Sequence, residues 1–350
     1  MSFFANIYYK LHLDALPIIF ENLSYKRACE NAIQKFVKNI NSDEKDKILK
    51  DIKKAYFQCY ASPEEYFLLG LANLDAKQRK SFVTDKFLFM TMTLLSDHER
   101  HDREIADKWG FFNLAKKYFK RDVIKVETKE DYNLFKNMAL KNHHLILKPN
   151  YSCMGNGIRI ADVETEEEAR QVFENMIKNK GSWIVEERLT QSDEMSLWNE
   201  SSVNTIRVPS FLNKDGFFII TPSFRIGRKG SVVDNAGAGG VLANIDYRTG
   251  KIESDGVDEE GKYYKSHPDS GISFYGYQIP KWKELLSFIE DIHKNVMPSH
   301  LYIGWDFALT KDRGWCVIEA NWGQFINQYN DKKGRKQEFL KYVMAKPYKG

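Results

Sequence analysis

The sequence predicts an α+β protein whose sheets are mostly antiparallel. Three observations support this fold class: residues 1 to about 110 have apolar side chains at helical spacing, residues 122–186 mix strand and helix patterns, and the chain is rich in β-branched and aromatic residues from residue 203 onward. Helices that come first and are followed by mixed α and β segments are typical of the α+β class.

The first hundred residues contain the clearest helix signals. The segment 22–37 has apolar residues near a 3.6-residue period. Ser62 is placed as an N-cap before Pro63 at the first helical position, with acidic residues in the first turn. Further helices are predicted through 76–95 and 100–119.

The rest of the chain alternates between strand and helix patterns. Strands are predicted at 122–126, 144–148, 182–186, 203–211, 216–220 and 223–226, and helices at 164–178 and 280–296.

Composition limits the classes of function. The chain has 350 residues, enough for two or three domains, with 43% hydrophobic and 29% charged residues, which is an ordinary globular balance. The net charge of +4 is mild and the basic residues are dispersed, so we expect no nucleic-acid partner. The first ten residues do not resemble a signal peptide and the best apolar stretch, 15–20, is far too short to span a bilayer. The sequence therefore predicts a cytoplasmic protein without a transmembrane segment.

The cysteines and histidines do not form a recognisable metal or disulfide pattern. The 4 cysteines are scattered without a Cys-x-x-Cys pair, which fits free thiols in a reducing compartment. The histidine pairs at 98 and 101 and at 143 and 144 have no third ligand nearby in the sequence. We expect both pairs to be surface or structural residues.

Two predicted strands near the end of the chain place acidic residues opposite each other. Residues 302–309 and 315–321 are rich in aromatic and β-branched residues, and residues 311–314 between them suit a four-residue hairpin turn. That turn length sets Asp306 directly opposite Glu319.

The same geometry makes the hairpin a candidate metal site. Asn321 lies two residues beyond Glu319 on the same face, opposite Gly304, which leaves room for a ligand. Two facing carboxylates repel each other, and a hard cation between them would remove that penalty. Mg²⁺ is usually held by one or two carboxylates together with nucleotide phosphates. The alternative is a solvated hairpin that carries two acids by chance, although its apolar neighbours argue for a cleft.

A second candidate site lies between the predicted strand 144–148 and the strand that returns after residue 157. Lys148 ends the first strand and a loop containing Gly155 and Gly157 follows it. Glycines allow backbone N–H groups to approach phosphate oxygens, and a lysine adds a point charge. A plain glycine turn is the alternative. The order of lysine and glycines differs from that of a Walker loop or a protein kinase.

Two further segments have the residue types of a nucleotide site. The strand 182–186 ends in Glu186 and Glu187, as the hinge of a nucleotide pocket does, and an ordinary strand end is the alternative. Arg207 and Arg225 lie on strands with apolar neighbours, and a buried guanidinium needs an anionic partner. That partner is a phosphate, a substrate carboxylate or an internal salt bridge.

Taken in this order, the segments resemble the ATP-grasp superfamily over about residues 105–330, with motifs like those of D-alanine–D-alanine ligase. The Asp306, Glu319-x-Asn321 end of the pattern is its most specific part. Within the superfamily, the segments 202–207, 224–227, 234–235 and 304–306 look most like the sugar-transfer-associated ATP-grasp group.

The resemblance implies a fold and a division of the chain. It implies an ATP-grasp fold, in which two α+β subdomains clamp ATP, preceded by a helical region. The expected boundaries are 1–105 for the helical domain, 106–181 for a small subdomain with Lys148 and the glycine loop, and 182–350 for a large subdomain with the metal site. The helical domain either packs on the catalytic core or docks a glycosyltransferase or a lipid-linked sugar.

The resemblance also implies a role for each matched residue. One or two Mg²⁺ ions, or Mn²⁺, would be held by Asp306, Glu319 and Asn321. Nucleotide-binding residues would be Lys108, Lys148, Ser152, Gly155, Asn156, Gly157, Glu186, Glu187, Leu189 and either Glu194 or Glu200. Catalytic charge neutralisation would come from Arg207, Arg225 and Lys148.

One departure from the pattern concerns the predicted strand that carries Asp306. Ligases of the D-alanine type often have an arginine two residues before the first metal aspartate, and Gly304 stands there in this chain. Arg207 or Arg225 must replace that arginine, or the chemistry differs.

The expected activity is that of an ATP-dependent carboxylate–amine ligase working through an acyl phosphate. The group resemblance suggests that a sugar carboxylate, such as a uronic acid unit of a capsule or O-antigen, is joined to an amino acid or amine, and the reverse polarity stays open. No enzyme nucleophile is required, so Cys153 is expected to be a bystander. A phosphotransferase acting on a hydroxyl and a non-catalytic nucleotide-binding module are the alternatives.

Overall fold

The computed structural model describes residues 18, 22–95, 100, 102–152, 157–178, 181–231, 234, 239–322 and 325–348. Its helices are α1 Leu23–Phe36, α2 Ser42–Cys59, α3 Pro63–Leu68, α4 Ala76–Arg79, α5 Asp85–Leu95, α6 Lys108–Phe119, α7 Tyr132–Asn142, α8 Glu166–Lys178, α9 Asp193–Ser196, α10 Trp282–Val296 and α11 Lys336–Val343. Its strands are β1 Val123–Val126, β2 His144–Pro149, β3 Arg159–Asp162, β4 Trp183–Glu187, β5 Thr205–Asn213, β6 Gly216–Ile219, β7 Ser223–Ile226, β8 Val241–Asn244, β9 Gly256–Val257, β10 Tyr263–Tyr264, β11 Tyr302–Thr310 and β12 Gly314–Asn321.

The described strands form two antiparallel sheets, which confirms the predicted fold class. The smaller sheet has the order β1-β4-β2-β3, and α7 and α8 supply Phe135 and Phe173 to the apolar core on it. The larger sheet has the order β10-β9-β8-β7-β5-β11-β12, with β6 paired to the outer part of β5. Every pairing within these sheets is antiparallel.

The smaller sheet extends past the expected subdomain boundary. β4 pairs with β1 through Val123 and Glu186, and with β2 through Lys148 and Ile184. The strand after residue 181 therefore belongs to the same sheet as Lys148. The division at 181/182 stays a prediction, and the strand pairing favours a boundary after Glu187.

Capping interactions define the helices of the N-terminal region as the sequence predicts. Ser62 accepts a hydrogen bond from the Glu65 N–H, while the Glu65 carboxylate accepts one from the Ser62 N–H, and Pro63 opens the helix between them. This reciprocal arrangement satisfies two backbone donors that the first turn would leave unpaired. The helix predicted from residue 22 is α1, with Asn22 as its N-cap.

Two of the predicted helices are interrupted, so their predicted bounds are wrong. The segment 76–95 contains α4 and α5, separated at residues 80–84, because Thr84 starts a new helix by accepting the Phe87 N–H. The segment 100–119 contains a π-helical turn at Asp102–Ala106 before α6. Asp107 has extended backbone dihedrals and caps α6 through the N–H groups of Trp109 and Gly110, which separates the two elements.

Of the N-terminal helices, α5 packs against the larger sheet. Leu88 and Met92 of α5 share an apolar cluster with Phe211 of β5 and Tyr302 of β11. The Gln328 side chain pairs with both backbone groups of Val83 at 3.1 and 2.8 Å. This packing joins α5 to the larger sheet, and the role of the helical region stays a prediction. Within the described ranges, the helices are too short or too polar to cross a bilayer.

The two faces of the larger sheet have different environments. Ile303, Trp305 and Phe307 of β11 are buried in the main core with α6 and α10. Because side chains alternate along a strand, Gly304 and Asp306 lie on the opposite face. That face, between the two sheets, carries the polar residues of the candidate site.

Candidate active site

The β11–β12 hairpin brings the two predicted metal carboxylates together. Asp306 pairs with Glu319, and Gly304 with Asn321, in the register that the sequence predicts. The predicted four-residue turn is wrong, because Gly314 already pairs with Thr310 and three residues lie between them.

A β-bulge compensates for the shorter turn. The register shifts between Asp306 and Phe307, so that Phe307 pairs with Val317 while Asp306 pairs with Glu319. Val317 therefore remains in the core, and Ile318 is the additional residue of the bulged strand. In a regular strand Val317 and Glu319 would lie on the same face, so the bulge turns Glu319 toward Asp306.

Two arginines from neighbouring strands hold the Asp306 carboxylate. Arg207 binds both oxygens, with Nε 2.8 Å from Oδ1 and Nη2 2.6 Å from Oδ2. Arg225 Nη1 donates to Oδ2 at 3.0 Å. Burial alone would raise the pKa of Asp306, but the two guanidinium groups lower it to about 2. Both arginines make the internal salt bridge that the sequence left open, at the strand where Gly304 stands in place of an arginine.

Asp234 continues this charged network. Its Oδ1 lies 3.2 Å from Arg225 Nη2, and its Oδ2 accepts the Thr205 N–H at 3.1 Å. Burial raises the pKa of Asp234, and the same carboxylate helps to raise the pKa of Arg225. Arg225 therefore bridges two buried carboxylates and has little freedom to move independently of them.

The pKa of Glu319 is shifted in the opposite direction to that of Asp306. Burial and the neighbouring Asp306 carboxylate raise the pKa of Glu319. Asn321 Nδ2 lies 3.3 Å from Glu319 Oε1. A proton between the two carboxyl groups, or a cation in its place, would relieve their repulsion.

The oxygen ligands present fit a hard cation. Two carboxylates and one amide oxygen are the ligand types that Mg²⁺ prefers, with phosphate and water completing its shell. Among the residues that the structure describes, no cluster of three or more His, Cys, Asp and Glu side chains is placed to bind a metal. A cation at this hairpin would therefore depend on Asn321 and on its other ligands, and it would compete with the arginines for Asp306.

Lys148 reaches the site from the smaller sheet. Its Nζ lies 3.0 Å from Glu186 Oε1, and Arg121 Nε donates to Glu186 Oε2 at 2.9 Å. Burial would raise the pKa of Glu186, but Arg121 and Lys148 lower it to about 2. The Lys148 charge also acts on Glu319, so the two sheets meet at this point.

Lys108 binds the beginning of the predicted phosphate loop. Its Nζ lies 3.3 Å from the Ser152 hydroxyl and 3.4 Å from the Asn150 carbonyl. Gly157 has φ +79°, and a Cβ there would lie 2.8 Å from the Pro149 ring, so a glycine is required. Gly155, Asn156 and Cys153, which is expected to be a bystander, lie outside the described residues.

The predicted hinge lines a small cavity. Glu187 to Thr190 and the hairpin turn residues 311–313 enclose about 290 Å³, close to the lower limit of small-ligand pockets. The Glu187 carboxylate is bound by Arg313, whose Nη1 lies 2.9 Å from Oε2. Glu194 and Glu200, the two ribose candidates, are both exposed, and Glu194 lies in the short helix α9.

Sequence reasoning missed two groups that organise the site. Arg121 is buried and joins Glu186 to the hairpin, yet in the sequence it is one charge in a Lys-Arg-Asp run before a strand. Asp107 binds Asn150 Nδ2 at 2.9 Å, and only its position before a helix distinguishes it. Neither residue has a local pattern that identifies a partner more than 40 positions away.

Comparison with known proteins gives one family match and several structural similarities. The model of the family described as sugar-transfer associated ATP-grasp matches residues 97–338. No curated protein matches the chain.

Among solved structures, the chain is similar to D-alanyl-alanine synthetase A from Vibrio cholerae, with 12% identity, a TM-score of 0.44, and coverage of 69% of this chain and 65% of that one. D-alanine–D-alanine ligase from Bacillus anthracis has 15% identity and a TM-score of 0.40, with coverage of 68% of this chain and 66% of that one. The ATP-grasp ligase PsnB complexed with a minimal precursor has 13% identity and a TM-score of 0.43, with coverage of 81% of this chain and 75% of that one. The chain thus spans slightly less than two thirds of the first two enzymes.

Proposed function

The chain belongs to the sugar-transfer associated ATP-grasp family, and from this premise we propose that it is an ATP-dependent ligase that joins a carboxylate to an amine. Its two antiparallel sheets form the α+β ATP-grasp fold that the sequence predicts. The observation that carries the proposal is the buried pairing of Asp306 with Glu319 beside Lys148.

The proposed nucleotide site uses residues from both sheets. Lys148, Lys108 and the loop 152–157 would contact the phosphates, and Glu186, Glu187 and Leu189 would form the adenine hinge. Glu194 is the proposed ribose contact. Asp306, Glu319 and Asn321 would hold one or two Mg²⁺ ions, which supply Lewis-acid stabilisation of phosphate charge when bound.

The proposed reaction has two steps. A substrate carboxylate oxygen attacks the γ-phosphorus of ATP, the bond to the bridging oxygen breaks, and an acyl phosphate and ADP form. An amine then attacks the carbonyl carbon, the bond to phosphate breaks, and the amide forms as the nitrogen loses a proton. Arg207 and Arg225, which both bind Asp306, would neutralise charge on the transferring phosphoryl group or bind the substrate carboxylate.

The proposed substrates follow from the family. A sugar carboxylate, such as a uronic acid unit, would be activated and joined to an amino acid or a simple amine in the cytoplasm during polysaccharide biosynthesis. The reverse polarity, in which an amino acid is activated and passed to an amino sugar, uses the same residues. A glycosyltransferase or a lipid-linked sugar is a proposed partner.

Release of ADP in the presence of Mg-ATP and hydroxylamine tests the proposal, using a panel of uronic acids and amino acids. Hydroxylamine converts an acyl phosphate to a stable hydroxamate, so a carboxylate that yields both ADP and hydroxamate supports the ligase and identifies the activated partner. ADP release with a phosphorylated product and no hydroxamate indicates a phosphotransferase. Tight ATP binding without acceptor-dependent ADP release indicates a nucleotide-binding module.

A further inference from the structure

Arg121 is a buried arginine that contacts both halves of the candidate site. It lies between α6 and β1 and is 8% exposed. Its Nε donates to Glu186 Oε2 at 2.9 Å, and its Nη1 donates to the Val317 carbonyl at 2.7 Å. A third bond, from Nη1 to the Phe119 carbonyl at 3.1 Å, fixes the guanidinium against the end of α6. One side chain therefore links the smaller sheet to the metal hairpin.

The Val317 carbonyl is at the bulge of the hairpin. Between the turn and the bulge, the last pair is Phe307 with Val317, and beyond the bulge the first pair is Asp306 with Glu319. β12 is the edge strand of the larger sheet, so its backbone groups that do not face β11 need partners from outside the sheet, and a buried unpaired carbonyl is costly. Arg121 supplies a donor to the Val317 carbonyl beside the bulge. If the bulge were lost, the register that pairs Phe307 with Val317 would continue, and Ile318 would face Asp306 in place of Glu319.

The other bond of Arg121 determines the state of Glu186. This carboxylate is 5% exposed and has two cationic partners, Arg121 and Lys148. A buried carboxylate that loses one of two cations is strongly destabilised. Arg121 therefore keeps Glu186 ionised, and Glu186 in turn holds the Lys148 ammonium at the junction of the sheets.

We propose that Arg121 is a positioning residue that maintains the bulge setting Glu319 opposite Asp306 and, through Glu186, places Lys148 against the same hairpin. The inference rests on the proposed function, because it assigns to Arg121 the alignment of the residues proposed to bind metal and phosphate. Its geometric part concerns the ligand-free protein and does not require turnover.

The test compares four variants of the full chain. Arg121→Lys keeps the charge but lacks the fork that reaches two acceptors at once. Arg121→Met combined with Glu186→Gln removes the uncompensated carboxylate, so this variant is expected to fold and can be compared with Glu186→Gln alone. Arg79→Lys is the matched control, since Arg79 is also buried and binds Asp51 through two nitrogens in the N-terminal region.

Three readouts, compared with the thermal midpoint of each variant, separate positioning from general stability. Crystal structures of the ligand-free variants give the pairing of Asp306, titration with Mn²⁺ gives cation affinity, and steady-state kinetics give kcat and KM for ATP. For Arg121→Lys we expect Mn²⁺ affinity or kcat to fall by about 10- to 100-fold, the range for residues that orient metal ligands. Arg79→Lys should lower the thermal midpoint and leave kcat and hairpin pairing unchanged.

The double variant decides the role of the bulge contact. Pairing of Asp306 with Ile318, or a further loss of Mn²⁺ affinity beyond that of Glu186→Gln, supports the inference. Wild-type pairing in Arg121→Lys together with wild-type Mn²⁺ affinity and kcat overturns it. If the wild-type protein shows no ATP turnover with any acceptor, the proposed ligase fails, while the crystallographic pairing still decides whether Arg121 maintains the bulge.

Discussion

At the scale of single residues, the candidate site depends on two neighbouring carboxyl groups whose pKa values are shifted in opposite directions. Asp306 accepts three hydrogen bonds from Arg207 and Arg225, which favour its ionised form. Burial and the Asp306 charge raise the pKa of Glu319, which lacks such a pair of arginine hydrogen bonds in the described structure. Because two guanidinium groups already hold Asp306, Glu319 would be the more available carboxylate ligand for a cation.

Glu319→Ala tests this assignment directly. We expect turnover to fall by about 100- to 1,000-fold, the range for removal of one preorganised electrostatic group, because the cation loses an anionic ligand and the phosphates are misplaced. Glu319→Gln is the companion variant, since it keeps the shape of the protonated side chain and should leave the thermal midpoint unchanged while losing turnover. Wild-type turnover of Glu319→Ala at saturating Mg²⁺ would remove Glu319 from the metal site.

At the scale of elements, a buried polar chain fixes α10 against the strands behind the site. The Trp305 indole N–H donates to Ser210 Oγ, and Ser210 lies 2.8 Å from His293 Nδ1. His293 Nε2 lies 2.8 Å from the His300 carbonyl, which can only accept, so Nε2 carries the proton and Nδ1 accepts from Ser210. Every member is satisfied, which is the condition under which a buried polar network stabilises a core.

This network gives a pH-dependent prediction for stability. Burial lowers the pKa of His293 to about 3, below the value near 6.5 of an unfolded chain. The contribution of neutral His293 to the free energy of unfolding is therefore fully present above pH 6.5 and is lost as pH falls toward 3. At pH 5 the loss is about 2 kcal/mol. We expect the destabilisation caused by His293→Gln to be smaller at pH 5 than at pH 7 by that amount, measured by urea unfolding. An equal cost at both pH values would show that His293 is not held neutral.

Local patterns in the sequence predicted the elements of the site better than their connections. The α10 helix and the β11–β12 hairpin follow from side-chain periodicity. The pairing of Asp306 with Glu319 follows from the number of residues between the two predicted strands. The bulge at Ile318 could not be predicted, because the contact proposed to maintain it comes from Arg121, nearly 200 positions away in the chain. Strands as short as β9 and β10 have no periodicity to detect.

At the scale of the whole molecule, the N-terminal helices and the larger sheet share one apolar cluster. α5 covers the part of the sheet beside the site, where Leu88 packs with Phe211 and Tyr302. Aromatic contact continues to Trp322, whose ring centroid lies 5.6 Å from that of Phe89 and which directly follows Asn321. α5 is thus joined to the larger sheet and contacts the residue that follows a proposed metal ligand.

Leu88→Ala tests whether the helices and the sheet unfold together. Leu88 is 1% exposed, so its truncation should lower the free energy of unfolding by about 2–5 kcal/mol. The thermal midpoint of the whole chain should fall in a single transition. Leu94→Ala on the same helix is the control, because Leu94 is 52% exposed and its truncation should cost less than about 0.5 kcal/mol. Two separate transitions, with only the first one shifted, would show that the N-terminal region is an independent folding unit.

The bulged hairpin also bears on how relatives of this chain can be identified. Because a bulge can compensate for a change in turn length, the interval between Asp306 and Glu319 can change by insertion or deletion while the two side chains still face one another. Glu319 and Asn321, in contrast, both lie beyond the bulge in regular strand, where only a two-residue step keeps them on one face. A search motif for this site should therefore leave the first gap open and keep the Glu-x-Asn spacing fixed.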